Sequence, residues 1–169
     1  MDRRRFLAVS GAAAVALGLA GVGLALRPTT QRQPRSPLQA LDATSFSILA
    51  AAADRICPGE DGLPSAWDLE VPEAIDSYLA TKHPGTVAEV TQALAFLENP
   101  LPALFLEGRT STFTGASAAG QDAVLLAFAT SRIGLRRTVY KALVALVTST
   151  YWGDPRVLAW TGYQPLRLR

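Results

Sequence analysis

Apolar residues recur along this chain at three- and four-residue intervals, and nowhere alternate with polar ones over the length of a strand. Asp42 suits the cap of a first helix that is expected to reach about Ile56, with Phe46, Leu49, Ala50, Ala53 and Ile56 on one face. Cys57-Pro58-Gly59-Glu60-Asp61-Gly62-Leu63-Pro64 breaks it. A second helix is expected from Pro72, a residue suited to a first turn, through Ala74, Ile75, Tyr78 and Leu79, with His83-Pro84-Gly85 as its stop. A third covers Thr86 to about Leu97 and sets Val87, Val90, Leu94 and Leu97 at helical spacing. Pro100 and Pro102 interrupt, and Leu101, Leu104 and Phe105 are expected to form an apolar turn against the core. Ser117 can cap a fourth helix carrying Ala123, Leu125, Leu126, Phe128 and Ala129, ending near Ile133-Gly134. The fifth runs from about Leu135 to Ser149, with Val139, Leu143, Val144 and Val147 as its stripe and Arg136, Arg137 and Lys141 on the other side. The fold expected is all-α, a small irregular helical bundle behind an N-terminal signal or anchor helix.

That N-terminal segment has its own pattern. Asp2-Arg3-Arg4-Arg5-Phe6-Leu7 looks like a twin-arginine export signal, with Arg3 and Arg4 as the pair and Phe6 and Leu7 in their expected places. Behind it, Ala8 to Leu26 is an uncharged run of 19 residues, nearly long enough to span a bilayer. Alanine and glycine dominate it, which suits a signal peptide better than an anchor. Gly23-Leu24-Ala25 is the best small-residue exit. Length favours a retained anchor and composition a cleaved signal, and both stay open. The expected division is residues 1–26 as signal or anchor, 27–37 as a polar, proline-broken linker, and 38–169 as one helical domain with room for a real core.

Charge is unevenly spread. From Asp42 to Glu107 eleven acids face only Arg55 and Lys82, whereas from Gly108 onward eight bases face only Asp122 and Asp154. The plain expectation is that the halves neutralise each other within one fold. A nucleic-acid role is not expected, because it needs a clustered basic stripe and an address where nucleic acid is found. Cys57 is the only cysteine, so no disulfide closes within one chain. It reads either as a small buried apolar residue or, in an oxidising compartment, as one end of an intersubunit bond.

Two motifs carry a family resemblance. Tyr151-Trp152-Gly153-Asp154-Pro155-Arg156 followed by Trp160-Thr161-Gly162-Tyr163 resembles the end of the gluconate 2-dehydrogenase subunit 3 family, with Gln164-Pro165 where that family has Pro-Gly. Asp54-Arg55-Ile56-Cys57-Pro58-Gly59-Glu60-Asp61-Gly62 resembles its turn after the first helix, and Leu63-Pro64-Ser65-Ala66 matches the following segment in part. The resemblance implies a non-catalytic small subunit that travels with a flavoprotein of the glucose–methanol–choline oxidoreductase type. That partner would hold FAD and oxidise a sugar or polyol, with a multihaem cytochrome c subunit passing electrons onward. It implies a periplasmic location, reached by the twin-arginine translocase, with the small subunit as escort and stabiliser.

The residues themselves support a binding role more than a catalytic one. Asp154 can cap a short helix with Pro155 in its first turn. Tyr151, Trp152, Trp160 and Tyr163 then bring four large rings to one end of the bundle, where core and partner contact are both open. The expected partner surface comprises Cys57, Tyr151, Trp152, Asp154, Pro155, Trp160, Gly162 and Tyr163. No catalytic, cofactor-binding or metal-ligating residue is assigned. His83 is the only histidine and is expected in solvent, and Glu60-Asp61 and Asp68-x-Glu70 lack the spacing of a calcium loop. Two rivals remain: a free-standing, membrane-tethered helical protein with a structural or ligand-binding role, and an enzyme using its acidic loops with a metal.

Overall fold

Asp42 starts the helix around which the others assemble. Its Oδ1 accepts from the Ser45 N–H at 2.7 Å and opens α1, Ala43–Ile56. The computed structural model of the chain describes residues 31–60, 62–99 and 111–162. The signal residues Arg3, Arg4, Phe6 and Leu7, the apolar run behind them, the expected turn of Leu101, Leu104 and Phe105, and Tyr163 lie outside the described residues. After α1 come α2 (Val71–Ala80), α3 (Pro84–Glu98), α4 (Ala118–Thr130), α5 (Gly134–Trp152) and α6 (Pro155–Trp160). The described residues form helices and no strand, as the hydrophobic periodicity predicts.

The first helix is buried on more than the one face its pattern suggests. Every residue from Ser45 to Ala53 is buried, because the small side chains of Ala50 to Ala53 let neighbours approach from several sides. Helices α2, α3, α4 and α5 all pack against it. Ile75 and Leu79 of α2, Leu94 and Leu97 of α3, Val124, Leu125 and Phe128 of α4, and Val139, Leu143 and Val147 of α5 complete the core.

Punctuation differs from expectation in instructive ways. His83-Pro84-Gly85 opens α3 instead of closing α2: the His83 Nδ1 accepts from the Gly85 N–H at 3.0 Å, and Pro84 takes the first helical position. Helix α4 ends at Thr130, ahead of Ile133-Gly134, and Ile133 becomes the residue that starts α5. Arg136 corrects the expectation that it lies on the solvent side of α5. It is buried, with its guanidinium 4.4 Å from the centre of the Phe128 ring. The Phe128 face offers this cation an aromatic partner that its own helix pattern does not reveal.

Residues 31–41 are clasped to α1 and α2. The Arg32 N–H donates to the Ser47 hydroxyl at 3.0 Å, and its guanidinium donates to Asp54 at 3.0 Å. The Arg35 N–H donates to Glu73 at 3.1 Å, and both guanidinium groups lie just over 5 Å from the Trp67 ring centre (5.3 and 5.1 Å). Buried Asp76 then receives three consecutive backbone donors, from Gln39 at 2.6 Å, Ala40 at 3.1 Å and Leu41 at 2.7 Å. This irregular stretch thus finds acceptors in Ser47 and Asp54 of α1 and in the Glu73 and Asp76 carboxylates of α2.

Candidate partner-binding end

The turn after α1 is built around two glycines. Gly59 has φ +79, and a Cβ there would lie 2.6 Å from the Ser65 nitrogen, so no larger residue fits without movement. Gly62, at φ +87, makes the second left-handed step. The Ala66 N–H closes the loop by donating to the Cys57 carbonyl at 2.8 Å. Cys57 itself is 9 % exposed, and burial pushes its thiol above the ordinary value. Both effects disfavour the thiolate, the form that attacks disulfides and metals.

The carboxy-terminal aromatic segment folds onto this turn. Tyr151 is buried, and its hydroxyl donates to the Pro64 carbonyl at 2.9 Å across 87 positions of sequence. Burial pushes the phenol upward, which keeps it a donor. Trp152 meets the Tyr151 ring edge-on, with centroids 5.4 Å apart at 88°. Gly153 then ends α5, and Asp154 caps α6 by accepting from the Arg156 N–H at 2.8 Å. Pro155 occupies the first turn of α6. The Arg156 guanidinium grips both Asp154 oxygens, at 3.0 and 2.8 Å, and holds that carboxyl below the usual range. The same guanidinium donates to the Leu69 carbonyl at 3.0 Å. Trp160 reaches back until its Nε1 would lie 3.8 Å from a Cβ placed on Gly62, and Gly162 at φ +71 turns the chain after α6.

The two motif segments are therefore one structural unit. Cys57, Tyr151, Trp152, Asp154, Pro155, Trp160 and Gly162 gather at one end of the bundle. Their roles divide there: Tyr151 and Cys57 are core, Asp154 and Pro155 build the α6 corner, and Trp152 and Trp160 remain 46 % and 53 % exposed. The carbonyls of Pro64 and Leu69 complete the unit, and backbone acceptors of this kind leave no trace in residue type.

The sequence pattern of the family described as Gluconate 2-dehydrogenase subunit 3 matches residues 28–166. The chain belongs to this family. No curated protein and no solved structure gives a match. The subunit 3 family takes its name from a component of a dehydrogenase, which points to a multi-subunit assembly. Its match spans both motif segments and the helices between them. Among the described residues no group of three or more His, Cys, Asp or Glu side chains is placed to hold a metal. No described helix is long and apolar enough to cross a membrane.

Proposed function

We propose that the chain is a non-catalytic accessory subunit of a periplasmic, FAD-dependent dehydrogenase of the glucose–methanol–choline type, acting on a sugar or polyol. The observation that carries this reading is the family match over residues 28–166. In this reading the catalytic subunit folds around its flavin in the cytoplasm, the small subunit binds the folded form, and the Arg3-Arg4 signal exports the pair. A binder of the folded state also stabilises it by mass action. A multihaem cytochrome c subunit receives the electrons.

The exposed rings of Trp152 and Trp160 support a contact surface at the α5–α6 end. Indole rings bury a large area at small entropic cost and dominate many interfaces. Cys57 serves here as a wall of the Tyr151 corner; its burial and raised pKa weigh against an intersubunit disulfide.

The test is capture of the tagged chain from periplasm or membranes, with an absorbance spectrum and mass identification of what accompanies it. A stoichiometric yellow flavoprotein is the expected result, and a lone colourless protein would overturn the reading. An Arg3→Lys/Arg4→Lys double change should strand dehydrogenase activity in the cytoplasm. Normal periplasmic activity in that variant would remove the escort role.

A further inference from the structure

A second surface has charge that the fold leaves unmatched. An open groove of about 350 Å³ runs between α1, α4 and α5. Ile56, Leu125, Leu126, Tyr140 and Val144 give it an apolar lining. In its wall, Arg55 and Asp122 form a two-point ion pair at 2.7 Å for each bond. That pair neutralises itself and lends the groove no net charge. Leu126 is 64 % exposed although it sits within α4, and Ile133 is 47 % exposed at the α4–α5 turn.

Beyond the groove, the same face of α5 turns cationic. Arg137, Lys141, Val144 and Thr148 follow one another at intervals of four, three and four, so they share one stripe of the helix. Val144 and Thr148 line the groove, while Arg137 and Lys141 continue the stripe towards the turn that holds Arg132. Arg32, Arg35, Arg55 and Arg156 each reach a carboxylate, at 3.0, 3.4, 2.7 and 2.8 Å. Among the described residues no carboxylate pairs with Arg132, Arg137 or Lys141. Arg137 donates to the Ser131 carbonyl, which ties the turn but does not balance its charge.

Local stability does not account for these cations. The first turn of α5 holds no acid, and Ile133 supplies no side-chain cap. Positive side chains near that terminus oppose the positive pole of the helix. An unmatched basic stripe beside an apolar groove is what an acidic amphipathic segment would complement.

We infer that this groove receives an acidic amphipathic segment of the catalytic subunit. Its apolar side chains fill the space between Leu126 and Tyr140, and its carboxylates meet Arg137 and Lys141, with Arg132 at the turn. A concave groove between helices fits a protein segment, whereas a bilayer surface is better met by a convex face. The inference rests on the reading of the chain as a dehydrogenase subunit.

The test uses the full chain and the dehydrogenase that it captures, with affinity measured over a range of salt concentrations. The wild-type complex should weaken as salt rises, through screening of the charge pairs. Arg132→Glu with Lys141→Glu should weaken it about tenfold or more and flatten the salt dependence. Arg137 is kept in this variant so that its bond to the turn survives. Lys141→Arg should bind as wild type does, and thermal unfolding should show each variant folded. A charge-reversed variant with wild-type affinity and salt dependence would overturn the inference, while the wild-type complex itself would still support the subunit reading. If the reversal instead abolished binding to vesicles containing phosphatidylglycerol and left the complex intact, the groove would belong to an anionic lipid surface. Absence of any wild-type complex would overturn the subunit reading and this inference together.

Discussion

In the region formed by residues 31–41, α1 and α2, carboxylates are turned to internal use. Asp76 holds three backbone N–H groups, Glu73 holds the Arg35 N–H, and Asp54 pairs with Arg32. In the α4–α6 region the arrangement reverses: Trp152, Trp160 and Leu126 face outward, and Arg132, Arg137 and Lys141 have no carboxylate partner among the described residues. The comparison separates residues that make the fold from residues the fold presents. A charge satisfied internally contributes to stability and little to recognition. An exposed ring or an unmatched cation does the opposite.

The sharpest way to break this division is Asp76→Ala. It would take the acceptor from the N–H groups of Gln39, Ala40 and Leu41, of which the Leu41 bond alone is fully buried. It should cost about 2–3 kcal/mol in urea unfolding, since an unsatisfied buried group costs about 1–3 kcal/mol while the more exposed donors turn to water. A loss below about 1 kcal/mol would mean that the clasp is ornamental and that the two regions do not differ as described. Asp154→Ala, on the other side of the comparison, removes a single cap and should cost about 1 kcal/mol. Its pH signature has a definite sign. The folded pKa is depressed, so the Asp154 contribution is fully present above the ordinary value of 3.8 and is lost as pH falls through the lower folded value. An acid titration of stability for wild type and variant should therefore converge at the acid end.

Glu70→Gly probes strain within the first region. Glu70 is the only described residue other than glycine with positive φ, at 59°, and its ion pair with Arg35 is exposed and long at 3.4 Å. Relief of that conformation should raise stability by about 0.5–1 kcal/mol, and a lower melting temperature would show that the side chain matters more than the backbone. The smallest effect on folding is expected for Trp152→Ala and Trp160→Ala, within about 0.5 kcal/mol as for other exposed positions. These same changes should weaken capture of the partner. If they unfolded the chain instead, the rings would belong with the core and the comparison would fail at its most informative point.

Legibility in the sequence follows the same line. Caps whose chemistry lies in one side chain were readable: Asp42, Ser117 and Asp154 each accept from the predicted helix start. The helical periods of Ile75 with Leu79 and of Val139, Leu143 and Val147 also matched the buried faces. Arg136 was not readable, because the Phe128 ring that shelters it comes from another helix. Nor was the clasp, whose donors are main-chain groups of Gln39, Ala40 and Leu41 and carry no residue signature. Of the candidate surface, Cys57 and the Tyr151–Gly162 segment were named from their residue types, whereas their packing against each other rests on the Tyr151 bond to the Pro64 carbonyl, which carries no residue signature. The division between buried Tyr151 and exposed Trp152 and Trp160 required the tertiary fold. The adjacent apolar pair Leu125-Leu126 contained an unread hint, since successive residues on a helix point about 100° apart and one of them faces out.

The clasp also sets how the domain answers to tension. A pull applied at the amino terminus would reach Arg32 and its bonds to Ser47 and Asp54 first, then Arg35 at Glu73, and only then the three-donor grip of Asp76. Load is thus taken up by successive attachments before any of it unwinds α1. A chain drawn from that end would be towed by a fastened strap, with the helical core riding behind it intact.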